Sequence, residues 1–358
     1  MNHKLLCLLC VLLPIFCISN ARAIKDSDIA NVLHVHNIQF AQDKYKLNTS
    51  KRVHEIRANE KRYIVMEFKN KDSDTYRLVE IERAKMLSAS GCGPTFLGKP
   101  ANNEFYIVEF IDTPLKYDNL NDQKLRELGK FTRKVHNHKY TKNGKSQLDR
   151  IKKHSKKIQK RGIAVPDGFN EAVDSFIKNS EKLDTKIGFC HGDLNPSNIR
   201  MRGDGSIVFI DWNNAGNGNV YEELGYLVQT YGLDERQISV LLEGYLGESP
   251  TQDYIDRVKF FAKRTCLLTA AVWFGFSESS YDKKISQKDR VKIINDMAKS
   301  EGFMKFEEYS RKGQIPNVKS ANKDEVKKYA LSAWKEYKEN IVGANFFDKL
   351  KKWFGSFL

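Results

Sequence analysis

The sequence predicts an α+β protein in two lobes: a small N-terminal lobe with an antiparallel sheet and one helix, then a larger, mostly helical C-terminal lobe. Three observations carry this. Strand-like segments at 51–56, 62–68 and 105–112 enclose one helical segment at 74–91. Beyond Pro114 the pattern turns helical at 121–138, 147–160 and 168–183, and again almost without interruption from 221. Between those helical runs, short apolar strands at 187–190 and 206–211 surround a polar stretch, "CHGDLNPSN" at 190–198.

The elements follow in order. Residues 1–23 combine a basic start, an apolar run and "NARA", a small-x-small end; this predicts a signal peptide cut after Ala23 and export to a periplasm or the medium. The N-terminal lobe then spans 24–114, the helical lobe 115–318 and a basic amphipathic helical tail 319–358. "KRVHEI" and "RYIVMEF" have strand character around "RANEK", which reads as a hairpin turn. In "DTYRLVEIERAKMLSASG", Leu78, Ile81, Met86 and Leu87 recur at helical spacing and Gly91 is the stop signal. In the tail, 344–358 puts Phe346, Phe347, Leu350, Trp353, Phe354 and Phe357 on one helical face with lysines elsewhere, which suits either a membrane surface or docking on the large lobe.

The chain carries 60 Lys and Arg against 45 Asp and Glu, a net charge of +15. Such a surplus favours an anionic partner, nucleotide phosphates included. The basic residues are scattered, and no zinc finger, RNA-binding aromatic motif or basic zipper accompanies them, so nucleic acid is not an expected partner. Beyond the leader the cysteines are Cys92, Cys190 and Cys266, too few and too widely spaced for a disulfide framework or a zinc site.

The polar stretch carries the chemistry. Phosphoryl transfer has a loose, anionic transition state, so its catalyst positions groups and neutralises charge with Mg²⁺. One carboxylate must orient the attacking hydroxyl and take its proton, while hard oxygen ligands hold the metal. Asp193 and Asn198 stand five apart, the spacing of Asp and Asn in a kinase catalytic loop. A second carboxylate, Asp211, ends the apolar run "SIVFID", and "RGDG" at 202–205 supplies a turn that brings it back toward Asp193.

Together, "FCHGDLNPSNI", "SIVFIDWNNAG" and "YEELGYL" resemble the aminoglycoside phosphotransferase and choline kinase superfamily, most of all its choline/ethanolamine kinase branch. "VEIERAKMLSASGCGPTFLG", "FYIVEFID" and "AAVWFGF" extend the resemblance over roughly 45–285. It implies a protein-kinase-like fold and ATP- and Mg²⁺-dependent phosphorylation of a small alcohol such as choline. Asp193 would be the catalytic base, His191 a brace of its loop, and Asn198 and Asp211 the Mg²⁺ ligands. Glu80 would pair with an ATP-binding cation, and Glu109 lies in the strand whose backbone would contact adenine. Glu223 and Trp273 would belong to the substrate pocket, the indole as a wall for a quaternary ammonium.

Two departures from the family pattern concern nucleotide binding. The phosphate-covering loop, "KLNTSKRV" at 46–53, has no glycine, leaving Thr49, Ser50 and Lys51 to serve through side chains. The strand position expected to hold a cation falls on Met66 or Glu67, leaving Lys69, on the Glu67 face, to reach inward. Two alternatives therefore stand beside the choline or ethanolamine kinase: a ligand-binding pseudokinase, and an aminoglycoside-type phosphotransferase.

Overall fold

The computed structural model describes residues 24–35, 38–40, 52–69, 71–140, 143–144, 146–180, 185–278, 284–300, 302, 304–316 and 321–341. The leader, Ser50, Lys51 and the aromatic segment 344–358 lie outside them. The chain divides into two compact units, Met1–Ala89 with Thr95–Phe110, and Ser90–Pro94 with Ile111–Leu358.

The first unit contains α1 (Asp26–Leu33), β1 (Gln39–Phe40), β2 (Arg52–Ala58), β3 (Lys61–Glu67), α2 (Asp74–Ala89), β4 (Phe96–Gly98) and β5 (Phe105–Glu109). Its sheet runs β1-β2-β3-β5-β4 with every pairing antiparallel. The predicted hairpin is present: Ala58 faces Lys61, and the two residues between them, Asn59 and Glu60, both take positive φ (47° and 63°). That pair of left-handed residues matches the right-handed twist of the flanking strands. Alternation along the strands gives the sheet two apolar faces. Ile56, Val65, Phe105 and Ile107 pack with Ile29 of α1, whereas Phe68, Tyr106 and Val108 pack with Ile81 of α2.

The second unit holds β6 (Thr113–Pro114), α3 (Asp122–His136), α4 (Gln147–Arg161), α5 (Phe169–Ser180), β7 (Ile187–Cys190), β8 (Ile199–Met201), β9 (Ile207–Phe209) and β10 (Gly216–Asn219). Then follow α6 (Val220–Tyr231), α7 (Glu235–Leu246), α8 (Gln252–Ser277), α9 (Gln287–Lys299), α10 (Phe306–Arg311) and α11 (Lys323–Ile341). Six of these helices start on a side-chain cap: Asn121, Ser146, Asn219, Asp234, Thr251 and Ser286 each accept a backbone N–H from the first turn.

The strands on either side of the polar stretch have different partners: β7 pairs with β10, while β9 pairs with β8, across the 202–205 turn, and β8 with β6. β10 reads "GNGN" and carries no strand signal, so only its partner makes it a strand. The region read as a tail from 319 contains α11. Val326, Tyr329, Ala330, Ala333 and Trp334 of α11 are buried, and all but Val326 pack in one cluster with α5 and α8, because the apolar positions of α11 recur at helical spacing. Among the described residues no helix is long and apolar enough to cross a membrane.

Candidate active site

The polar stretch 190–198 is a loop held at one end by β7 and at the other by β8. Its first turn needs Gly192, which sits at φ 78°; a Cβ there would lie 2.5 Å from the Asn214 carbonyl oxygen. His191 is fully buried, with its ring 4.5 Å from that of Trp212. Its Nε2–H donates to the Ile210 carbonyl at 2.8 Å, and its Nδ1 accepts the Asp193 N–H at 3.3 Å. A carbonyl can only accept, so these two bonds select the neutral Nε2–H tautomer. His191 thereby ties the catalytic loop to the chain just before Asp211.

Beneath the loop lies Glu223, in the first turn of α6 and 4% exposed. One carboxylate oxygen, Oε1, accepts the Gly192 N–H at 2.7 Å; the other, Oε2, accepts the His191 N–H and His136 Nε2–H, both at 2.9 Å. His136 Nδ1 takes the hydroxyl proton of Tyr245 at 2.9 Å. Burial pushes the Glu223 carboxyl up, but His136 and the backbone donor of His191 outweigh it and hold its pKa below the usual carboxylate value. Glu223 is thus a buried anchor for the loop backbone. α6 reaches this depth because Gly225 lets it approach α8 closely, a Cβ there falling 2.5 Å from the Ala262 nitrogen.

Asp193 is set by one turn of the same helix. Tyr226, three residues after Glu223, donates its hydroxyl to Asp193 Oδ1 at 3.0 Å. Burial and the neighbouring carboxylate push the Tyr226 pKa up, keeping it a donor. Asn195 Nδ2 also reaches Oδ1, at 3.3 Å, while Oδ2 has no hydrogen-bond partner among the described residues. One oxygen is therefore anchored and the other is available to accept a proton.

The candidate metal ligands share one hairpin. Asn198 Nδ2 donates to the Asp193 carbonyl at 2.8 Å, which leaves Oδ1 as its ligand atom. The Asn198 carbonyl accepts the Ile210 N–H at 2.9 Å, so Asn198 and Asp211 follow each other across the β8–β9 pairing. Asp211 adopts φ 61°, an uncommon value for a residue with a side chain, and Asn213 Nδ2 donates to its Oδ1 at 2.5 Å. An amide oxygen and a carboxylate are hard donors and fit a divalent cation of the Mg²⁺ type.

The sequence profile of the phosphotransferase enzyme family matches residues 41–261, more than half of the chain. The chain belongs to this family. A protein described as a LicA homolog from Metamycoplasma hominis is 27% identical over 172 residues, which cover 47% of this chain and 67% of that one. Among solved structures, the choline kinase LicA from Streptococcus pneumoniae superposes with a TM-score of 0.54 at 16% identity, over 75% of this chain and 94% of the other. A putative aminoglycoside phosphotransferase from Ralstonia eutropha gives 0.55 at 13% identity, over 88% and 98%. The kinase-like fold is common to all of these structures.

Other predicted site residues of this phosphotransferase are placed differently. Glu80 is buried and forms an ion pair with Arg83 one turn along α2. Lys69 lies beyond the end of β3, where its backbone N–H donates to Asp72 Oδ2 at 2.7 Å; the strand alternation that would aim it inward stops at Glu67. Glu67 itself is buried and takes His54 Nε2 at 2.7 Å and Arg52 at 3.4 Å, both from β2. Glu109 pairs by both backbone and side chain with Thr95, Oε1 accepting the Thr95 N–H at 2.8 Å. The half-buried Trp273 packs its ring edge-on against Tyr329 of α11, 4.7 Å between centroids, at the margin of the helical core.

Sequence reasoning missed Tyr226, His136 and Tyr245. For Tyr226 a signal existed, since "EELGY" puts it on the Glu223 face of a helix. For His136 and Tyr245 there was none, as each lies on a separate helix far along the chain.

Proposed function

We propose that this phosphotransferase uses ATP and Mg²⁺ to phosphorylate the hydroxyl of a small amino alcohol of the choline or ethanolamine kind. The observation that carries this reading is the Asp193 carboxylate, with Oδ1 held by Tyr226 and Oδ2 available, on a loop shared with Asn198 and next to Asp211. Asp193 orients the acceptor hydroxyl and accepts its proton as the new O–P bond forms to the γ-phosphorus and the bond to the ADP oxygen breaks. Asn198 Oδ1 and the Asp211 carboxylate would hold Mg²⁺, which supplies neutralisation of the phosphate charge. His191 and Glu223 keep the loop backbone from moving away from this geometry, and touch no reacting atom themselves.

The pseudokinase reading is favoured by one observation, the buried Glu67 at the strand position where a phosphate-binding cation was expected. One assay separates the two. The purified full-length chain is given Mg²⁺-ATP with choline, ethanolamine or an aminoglycoside panel, and ADP release is followed, with Asp193→Ala as control. The kinase reading expects turnover that falls about 10²–10⁴-fold in Asp193→Ala. Absence of turnover together with absence of a thermal shift on adding Mg²⁺-ATP overturns it. Export through the predicted leader is a separate proposal, checked by N-terminal sequencing of the secreted protein for a start at Ile24.

A further inference from the structure

A pocket open to solvent adjoins the loop that carries Asp193 in the second unit. It runs from Gly192 and Tyr226 past Arg150 and Asn214 to Gln147 and Glu222. Tyr226 joins it to the chemistry, because the same side chain lines the pocket and holds Asp193.

The far end of the pocket asks for hydrogen-bond donors. Gln147 is only 4% exposed, and its Oε1 is buried without a partner among the described residues. The amide cannot be turned round: Nε2 donates to the Glu222 carbonyl at 3.3 Å and to Thr265 Oγ1 at 3.0 Å, and a carbonyl can only accept. The Thr265 proton is itself committed to the Phe261 carbonyl at 3.1 Å. Glu222 lines the pocket too, and its Oε2 accepts the Gln147 backbone N–H at 2.8 Å. Arg150 also lines the pocket; its Nη1 donates to the Gly192 carbonyl at 3.3 Å and the guanidinium lies 5.7 Å from the Tyr226 ring centre. Tyr226 is the one aromatic residue among the described residues that line the pocket. Nothing there forms the box of aromatic faces that a quaternary ammonium requires.

We infer that this pocket seats the cationic end of the acceptor and selects an ammonium that carries N–H donors, a primary amine, over a quaternary ammonium. The inference rests on the kinase reading above and narrows it. A primary ammonium brings three donors, enough to satisfy Gln147 Oε1 and the Glu222 carboxylate together. A trimethylammonium brings none, and would leave Oε1 unpaired while pressing methyl groups against a polar wall.

The test is kcat/KM of the full-length chain with Mg²⁺-ATP along the series ethanolamine, N-methylethanolamine, N,N-dimethylethanolamine and choline. The expected result is a fall along the series, steepest at the last methyl, with ethanolamine preferred over choline by at least about tenfold, the effect of leaving one buried acceptor unpaired. Gln147→Met keeps the volume and removes the acceptor, and should bring that ratio to within about threefold. Glu222→Gln, which leaves Gln147 in place, should lower it too and serves if the first variant does not fold. A flat series, a preference for choline, or a ratio unchanged in both variants overturns the inference while the kinase reading stands. Turnover of aminoglycosides instead of ethanolamine supports amine selection and assigns it to a larger acceptor. No turnover of any acceptor, with no Mg²⁺-ATP thermal shift, removes the kinase reading and this inference with it.

Discussion

Two buried glutamates, Glu223 in the second unit and Glu67 in the first, show how differently the two units treat the same problem. Glu223 receives three N–H groups, two from the catalytic-loop backbone and one from a histidine that is itself buried and held by Tyr245. Glu67 is met by Arg52, whose side chain is 46% exposed, and by His54, 34% exposed, from the adjoining strand. A buried charge is tolerated only when it is paired, and both are. The first arrangement locks a backbone, whereas the second joins side chains that water still reaches. The C-terminal unit therefore has a preorganised loop, and the N-terminal unit has a side-chain cluster in which Arg52 and His54 of β2 meet an acid of β3.

If this contrast is right, Glu223→Ala should be more damaging than any change to the Glu67 cluster. It strands His136 and two buried N–H groups, and should cost about 3–5 kcal/mol in urea unfolding while abolishing turnover. Retained activity with that loss of stability would show that the loop holds its shape without the anchor.

Acid should weaken the C-terminal unit through His154 on α4. Burial, followed by Lys157, Arg150 and Lys153, lowers its pKa from 6.5 to about 4. The folded protein keeps this histidine neutral in that window while the unfolded chain takes up a proton. Stability is therefore complete above pH 6.5 and declines as the pH falls toward 4, by ~2 kcal/mol once solvent screening is allowed for. The melting temperature of the wild type should fall relative to that of His154→Gln as the pH drops from 6.5 toward 4; parallel curves would remove His154 as the cause.

Glu67→Ala should cost less, about 1–2 kcal/mol, because its partners can regain water. A loss equal to that of Glu223→Ala would erase the contrast between the units. The smallest effect is expected at the hairpin, where Glu60→Gly removes a side chain from a left-handed residue and should stabilise the chain by up to about 1 kcal/mol, read as a small rise in melting temperature. A fall instead would mean that the unfolded-state entropy of glycine outweighs the strain relieved.

Much of this molecule is legible in local sequence. The hairpin around Asn59–Glu60, the helix ending before Gly91, the loop 190–198 and the turn at 202–205 each depend on residues a few positions apart, where periodicity and turn chemistry act directly. The same locality stops short in two places. Strand alternation cannot say that β3 ends before Lys69, and an apolar helix pattern around Trp273 cannot say that its ring meets Tyr329 of α11 edge-on.

What sequence alone determined, then, was the two-part α+β plan, and it singled out the trio Asp193, Asn198 and Asp211 as candidates, because helix and strand periods and a kinase-loop spacing are short-range properties of the chain. Tertiary structure decided how that trio is held and what the neighbouring pocket offers. Tyr226 meets Asp193 across 33 residues, His136 meets Glu223 across 87, and Gln147 turns its amide to Thr265 across 118. Such pairings depend on where helix axes lie in the packed core. No local pattern encodes that, because each partner on its own looks like an ordinary polar residue on a helix.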